Sequence, residues 1–216
     1  MFYCFIVVIA EAIFSTAYLP SIECISALIK FSSVEIEQWE NYQKQTIRSR
    51  CHILGANGIQ TLRIPVMHES KIKILTKDLK ICYDENWQRI QWLALQSAYN
   101  KSPFFEFYKD DFEKIIFSNK IYLLDLNTEL LQLILKILGA ETKTNYSSTY
   151  EKKYPENDFR FLANIKTKSI CNLQSSICNL QYPQVFFYKF GFTPNLSIVD
   201  LIFNEGKASI NYLENK

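Results

Sequence analysis

Hydrophobic residues recur along this chain with two different spacings, and each spacing implies a different backbone. An almost continuous apolar, β-branched run over residues 5–17 predicts a strand buried on both faces, central in a sheet. Pro20 suits the first turn of a helix, and Ile22, Ile25, Leu28 and Ile29 share one face of a helix predicted over 21–31. Residues 34–38 alternate apolar and polar, as a half-buried strand does. After a polar stretch over 41–50, two strand-like runs flank Ala56-Asn57-Gly58. Asn-Gly supplies the positive φ angles of a tight turn, so these runs are predicted to form a hairpin with Asn57-Gly58 at its tip. A further strand is predicted within 72–81.

From residue 86 to residue 100 the period becomes helical, with Trp87, Ile90, Leu93, Ala94, Ser97 and Ala98 near one face. Ser102-Pro103 interrupts it, and a second helix is predicted over 104–117. The clearest helix comes next: Asn127 is placed to cap its start, leucines and isoleucines keep helical spacing, and Gly139 suits the position after its end. Residues 140–182 are polar and irregular. Within them SICNLQ occurs twice, at 169–174 and 176–181, a duplication too short for a solenoid and expected in a surface loop. A last helix is predicted over 197–204, ended by Gly206. This order of elements predicts an α/β protein, residues 1–216 forming a single domain with a mixed β-sheet flanked by helices and an Asn-Gly β-hairpin.

Composition narrows the function classes only a little. With 216 residues, 48% hydrophobic and 21% charged, the chain can bury one substantial core and is not of the disordered type. A net charge of +2 gives no electrostatic reason to expect a nucleic-acid partner. Aromatics reach 15%, which reads as a large aromatic core; the alternative is that some rings line a groove for a sugar or nucleotide. The apolar start, residues 1–10, lacks a basic flank and a cleavage motif, is interrupted by Glu11 and is too short to span a bilayer. A buried strand, no transmembrane segment and a cytoplasmic location are therefore expected. None of the six cysteines (Cys4, Cys24, Cys51, Cys82, Cys171, Cys178) forms a C-x-x-C pair, and only His52 and His68 could join them, so no metal site and six free thiols are expected.

Two segments could carry chemistry. The first is residues 37–50, EQWENYQKQTIRSR, which sets Lys44, Arg48 and Arg50 among Asn41, Tyr42 and Gln45. Guanidinium forks match phosphate or carboxylate oxygens in pairs, and in an extended run these three cations, an even number of residues apart, share a face. Arg48 and Arg50 are accordingly expected to point into the largest pocket, with Lys44 beside them. The bland alternative is a solvated loop balanced by Glu37 and Glu40. In the second segment Pro194-Asn195 leads into the last helix, whose first turn carries Ser197 and Asp200. Asn195 is a good N-cap; alternatively that helix end receives an anion, although Asp200 would oppose a bare one. Phosphate-loop, dinucleotide-fold and nucleophile-elbow motifs are missing, and adjacent Cys51 and His52 would point to opposite faces of a strand.

Five segments in order resemble the WbqC-like family, in its short, Bacteroidetes-type form. They are STAYLP at 15–20, against a Q-P-x-Y-L-P pattern; EQWENYQKQTIRSRCHI, against D/E-x-x-x-Y-x-K-Q-x-x-R-N-R-C; RIPV; NWQRIQWLALQSAYNKSPFFEFY; and YPQVF with GFTPNLSIVDLIFNEG. The likeness spans about residues 13–214. It implies a role in surface-polysaccharide synthesis of the O-antigen or lipopolysaccharide type. That role would belong to an enzyme, such as a transferase, or to a ligand-binding accessory handling an anionic activated sugar. The ligand would be a nucleotide-sugar or other phosphorylated small molecule, with no cofactor indicated. Lys44, Gln45, Arg48 and Arg50 fall on matching positions. On this expectation Lys44, Arg48 and Arg50 hold phosphates, Asn41 and Gln45 read hydroxyls, and Tyr42 is a further substrate-binding residue. Asn195 and Ser197 complete the site, and Asp200 or Glu37 serves as base. A non-catalytic scaffold of the same pathway is the alternative. Ser49, Cys24 and Gln91 depart from the usual Asn, aromatic and His, and residues 140–182 lack the glycine-rich segment of longer relatives.

Overall fold

Two sheets, not one, hold the strands. The computed structural model describes residues 12–68, 73–154, 157–164 and 181–214. A three-stranded parallel sheet has the order β1 (Ala12–Ser15), β2 (Ser33–Glu37), β5 (Lys143–Tyr146), with Ala12 opposite Val34 and Ser33 opposite Lys143. The antiparallel pairing sits apart, in the hairpin of β3 (Arg50–Gly55) and β4 (Gly58–Arg63). All four residues of β1 are buried, as a parallel strand covered on both faces should be. Its outer edge is met by residues 157–159, where Ile13 N donates to Asn157 O (3.1 Å) and Phe159 N to Ile13 O (2.9 Å). The part of the expected first strand before residue 12 lies outside the described residues, as does the duplicated hexapeptide except for Gln181.

The helices lie where the periodicity puts them, but their ends are built differently from what the sequence suggests. The one expected over 86–100 buries Gln91, Trp92, Leu95 and Tyr99 with Trp87 and Ala98, and leaves Ile90 and Leu93 of the expected face exposed. Helix α1 (Ile22–Leu28) is capped by Ser21, whose hydroxyl accepts from Cys24 N at 3.3 Å, so Pro20 lies before the cap and not in the first turn. Helices α2 (Trp87–Tyr99) and α3 (Phe105–Ile116) pack on each other, α2 also against the hairpin and α3 against α4 (Leu123–Leu138). Helix α4 starts before Asn127, with Leu123 N donating to Leu79 O at 2.9 Å; Asn127 is buried in its interior. Its end does match expectation. Gly139 takes φ 68°, Ala140 N donates to Leu135 O and Gly139 N to Lys136 O, which satisfies the last carbonyls.

Of the strand expected within 72–81, the described residues 73–81 form none. Thr76 N and Oγ1 both donate to Glu40 O, and Lys77 N to Gln38 O, so this stretch spends its hydrogen bonds in single bridges and a 3-10 turn over Thr76–Asp78. The hairpin turns on Ala56 and Asn57, and only Gly58 takes a positive φ (104°), a turn followed by a left-handed glycine. Near the C-terminus come α5 (Phe187–Phe190), α6 (Ile198–Glu205) and α7 (Ser209–Glu214). Seven of the eight residues of α6 are buried, so it forms the centre of the helical layer, against α1 and α3. A single apolar cluster runs from β1 through α4 to α6, the pattern of one domain. No helix among the described residues is long and apolar enough to cross a membrane.

Gly206 ends α6 with φ 58° and ψ −135°, and a Cβ there would lie 2.6 Å from Cδ1 of Phe104. Gly206→Ala should therefore cost roughly 2–4 kcal/mol through backbone strain and overpacking. Gly139→Ala, whose Cβ would meet only the flexible end of Lys207 at 3.6 Å, should cost about 1 kcal/mol. Urea denaturation of both variants tests the ranking, and equal losses would contradict it.

Candidate functional site

Residues 44–49 form turns, not an extended run, and Gln45 has φ 62°. The parity that would align Lys44, Arg48 and Arg50 is therefore lost, and the two arginines part. Arg48 turns inward. Its Nε and Nη2 each donate to one oxygen of Glu40 at 2.7 Å, and Nη2 also reaches Ser15 Oγ at 2.9 Å. Its side chain is 1% exposed, so the expectation that it faces a pocket with Arg50 is overturned. The Glu40 carboxylate takes the Nε–Nη2 edge of the guanidinium in two parallel bonds.

Arg50 goes the other way and meets a cation that sequence reasoning missed. It opens β3, and the hairpin register sets it directly across from Arg63, the last residue of β4. Both line an open cleft of about 320 Å³ together with Tyr42, Lys44, Gln45 and Ser49. His68 and Glu85 line it as well, over an apolar floor of Ile64, Pro65 and Val66. No carboxylate among the described residues lies within 4.0 Å of Lys44, Arg50 or Arg63. Like charges directly opposite on a hairpin repel, so this pair of arginines is an unfavourable arrangement that an anion would relieve. The hydroxyls of Tyr42 and Ser49 meet at 2.8 Å, and the His68 ring tilts against Tyr42 with its Nδ1 buried and without a hydrogen-bond partner among the described residues. The backbone around the arginines is fixed. Ile64 N donates to Ser49 O (2.9 Å), Gln91 Nε2 to Arg63 O (2.6 Å), and Tyr18 Oη holds Gln91 at 2.5 Å. The cleft is not the largest depression, contrary to expectation: one of about 670 Å³ lies between α2 and residues 185–188.

The remaining candidates lie elsewhere. Asn41 is exposed and bridges to Leu75 without lining the cleft. Glu37 is fully buried, bonded to Arg160, Ser147 and the Trp39 amide. Asp200 is buried too and accepts from Tyr99 (2.9 Å), Tyr182 (2.6 Å) and Gln184 (3.1 Å). Burial pushes its carboxyl up to about 6, while those three hydrogen bonds pull the other way. Asn195 does not cap its own helix. With φ 50°, it accepts from Glu23 N (3.0 Å) and donates to Glu23 Oε2 (3.1 Å), so it caps α1 from 172 residues away. Ser197, at the start of α6, donates from Oγ to Leu19 O, and that helix end lies against backbone, not beside the cleft. Cys51 is buried, and burial pushes its thiol up, away from the thiolate a nucleophile needs. Among the described residues no group of three or more His, Cys, Asp and Glu could hold a metal ion.

Arg48→Ala should destabilise the protein by about 3–5 kcal/mol, because it strands the buried Glu40 carboxylate. Chemical denaturation checks this, and a loss within about 0.5 kcal/mol, as for an ordinary surface arginine, would contradict it. Asp200 gives a pH signature. Its folded-state value, about 6, lies above the ordinary 3.8, so the folded protein holds this proton more tightly than the unfolded chain. The stabilisation is full below about pH 3.8 and is lost as the pH rises through 6. Asp200→Asn has no such proton to lose, so its Tm relative to the native protein should rise between pH 4 and 7. A gap that stays constant across that range would refute the assignment.

Comparison with known proteins bears on the whole chain. A sequence profile described as the WbqC-like protein family matches residues 16–177. A protein of Mycobacterium tuberculosis (strain ATCC 25618 / H37Rv), described as uncharacterized protein Rv1507c, is 25% identical over 203 residues, covering 80% of this chain and 83% of its own. No solved structure matches. With the family's profile extending from the end of β1 past β5 and the cleft inside its span, the chain belongs to the WbqC-like protein family.

Proposed function

We propose that this protein binds a phosphorylated small molecule, of the kind an anionic activated sugar represents, through the cleft of Lys44, Arg50 and Arg63. One observation carries the reading. The buried arginines, Arg48 and Arg160, have their charge answered by carboxylates, whereas these three cations line one cleft and none of them forms an ion pair within 4.0 Å among the described residues, the one carboxylate of the lining, Glu85, included. Tyr42, Ser49 and Gln45 stand beside them as neutral partners for the rest of a polar ligand. Arg48 contributes by fixing the turn that presents Lys44 and Gln45. In this reading Asp200 and Glu37 carry no chemical step, since both are enclosed and fully bonded. Family membership adds the setting we propose, synthesis of surface polysaccharide of the O-antigen type.

A second reading, a scaffold of the same pathway, is favoured by a different observation. Ile90 and Leu93 on α2 and Phe187 and Tyr188 on α5 are more than half exposed, Tyr188 at 83%. Calorimetric titration with uridine diphosphate and with pyrophosphate separates the two. On the ligand-binding reading Arg50→Ala and Arg63→Ala each weaken binding by about ten- to a hundred-fold, the loss of one charged hydrogen-bonding group. Without ligand, either variant should be as stable as the native protein or slightly more so, because one of two facing charges has gone. Native protein that binds neither anion would leave the scaffold reading in place.

A further inference from the structure

The rim of the cleft holds a group that an anion alone does not explain. Glu85 lines the cationic cleft, and it also lines a neighbouring depression of about 610 Å³. Between the two runs a ridge of paired backbone. Met67 N donates to Lys80 O and Cys82 N to Pro65 O, both at 2.9 Å, and Val66 bridges to Ile81. Val66 and His68 line the cleft while Met67 lines the other side, the alternation of an extended chain, and Glu85 is common to both. Its backbone is fixed where α2 begins, Trp87 N donating to Glu85 O at 2.8 Å beside the buried Trp87 ring. Its carboxylate, however, has no hydrogen bond or ion pair among the described residues, and neither does the amide of Asn86.

The two sides differ in chemistry. One offers three cations. The other offers Tyr83, Asp84, Asn86, Gln88 and Asn119 beside a single lysine, Lys80. Gln88 donates to Asn119 Oδ1 at 3.1 Å, which leaves the Asn119 amide nitrogen as an available donor. A bare phosphate gains nothing from a carboxylate at its rim and is repelled by it. A molecule with hydroxyl or amino donors next to its phosphate gains a strong acceptor there. At about 320 and 610 Å³ both depressions lie within the roughly 300–1,000 Å³ of small-molecule sites, so each has room for one part of such a ligand.

We infer that the ligand is bipartite: a phosphate in the cationic cleft joined to a polyhydroxylated ring that crosses the rim into the second depression, where Glu85 accepts a hydrogen bond from it and Asn86 contacts its hydroxyls. This rests on the anion-binding reading of the cleft and adds where the non-phosphate part of the ligand lies and that Glu85 and Asn86 read it. Because the cleft carries three cations and the second depression one lysine beside Asp84, with Glu85 at their common rim, the charge difference also sets the direction in which such a ligand lies.

Titration of the full chain with inorganic phosphate, glucose 1-phosphate, N-acetylglucosamine 1-phosphate and glucosamine 1-phosphate tests the inference. At least one sugar phosphate should bind about tenfold or more tightly than inorganic phosphate. Glu85→Ala and Asn86→Ala, both at exposed positions, should reduce that advantage to less than about threefold. Glu85→Ala should at the same time bind inorganic phosphate as well as the native protein or better, because a repelling charge has left. Opposite responses to the two ligands are the signature. Sugar phosphates that bind no tighter than inorganic phosphate, or a Glu85→Ala loss equal for both, would overturn the inference while leaving the anion cleft intact. No binding of any of the four by the native protein would overturn both.

Discussion

The pairing of Arg48 with Glu40 is the buried bond on which three parts of the chain converge. Through its guanidinium, Arg48 ties the carboxyl end of β1, at Ser15, to the segment after β2, at Glu40. Its carbonyl accepts from Asn127 Nδ2 at 2.8 Å, which brings in the middle of α4. Removing two charges from water is costly, and mutual attraction repays it only when the geometry is good and the remaining groups are bonded. Here two parallel bonds of 2.7 Å and the Ser15 hydroxyl meet that requirement. The turn over residues 44–49 is held from inside by this pair, and from outside it presents Lys44 and Gln45. The cleft is thus a surface consequence of an interior bond.

A second buried arginine works along the β1 edge of the parallel sheet. Arg160 donates to both oxygens of Asp158, to Glu37 and to the carbonyl of Glu151, and its hydrogen bond holds the Asp158 carboxyl below its usual range. It fastens residues 157–164 along β1, the strand that would otherwise show an unpaired, apolar edge. The stacked rings of Phe14 and Phe159, 4.8 Å apart, close the same seam.

Elements that depend on periodicity were legible in the residues; contacts that depend on tertiary partners were not. The helices at 86–100 and 104–117 and the strand at 34–38 appear within a few residues of expectation, because amphipathic spacing and burial act locally. Arg48 misled because a parity argument assumes an extended backbone, and Gln45 in the left-handed region breaks it. Asn127 and Asn195 have the chemistry of caps, but one is buried inside α4 bonding to Thr16 and the other caps a distant helix. Arg63 was within reach. Once the hairpin turns at residues 56 and 57, Gly55 faces Gly58, and counting outward sets Arg50 opposite Arg63. Glu85 carried no such signal, since nothing near it in sequence marks where two depressions meet.

The cap that Asn195 places on α1 has a consequence for how the chain is made. A seven-residue helix has little stability of its own, and its first turn leaves backbone donors that need partners. One of those partners is Asn195; the carbonyl that receives Ile22 N belongs to Leu196. As the chain leaves the ribosome, α1 has only its Ser21 cap until Asn195, 172 residues beyond Glu23, has also emerged, so the helix waits in an incomplete state until then. Closing so long a loop is slow, and the interval leaves Ile22, Ile25 and Leu28 uncovered. Translation that halts before residue 195 should therefore yield nascent chains that chaperones hold and proteases clear.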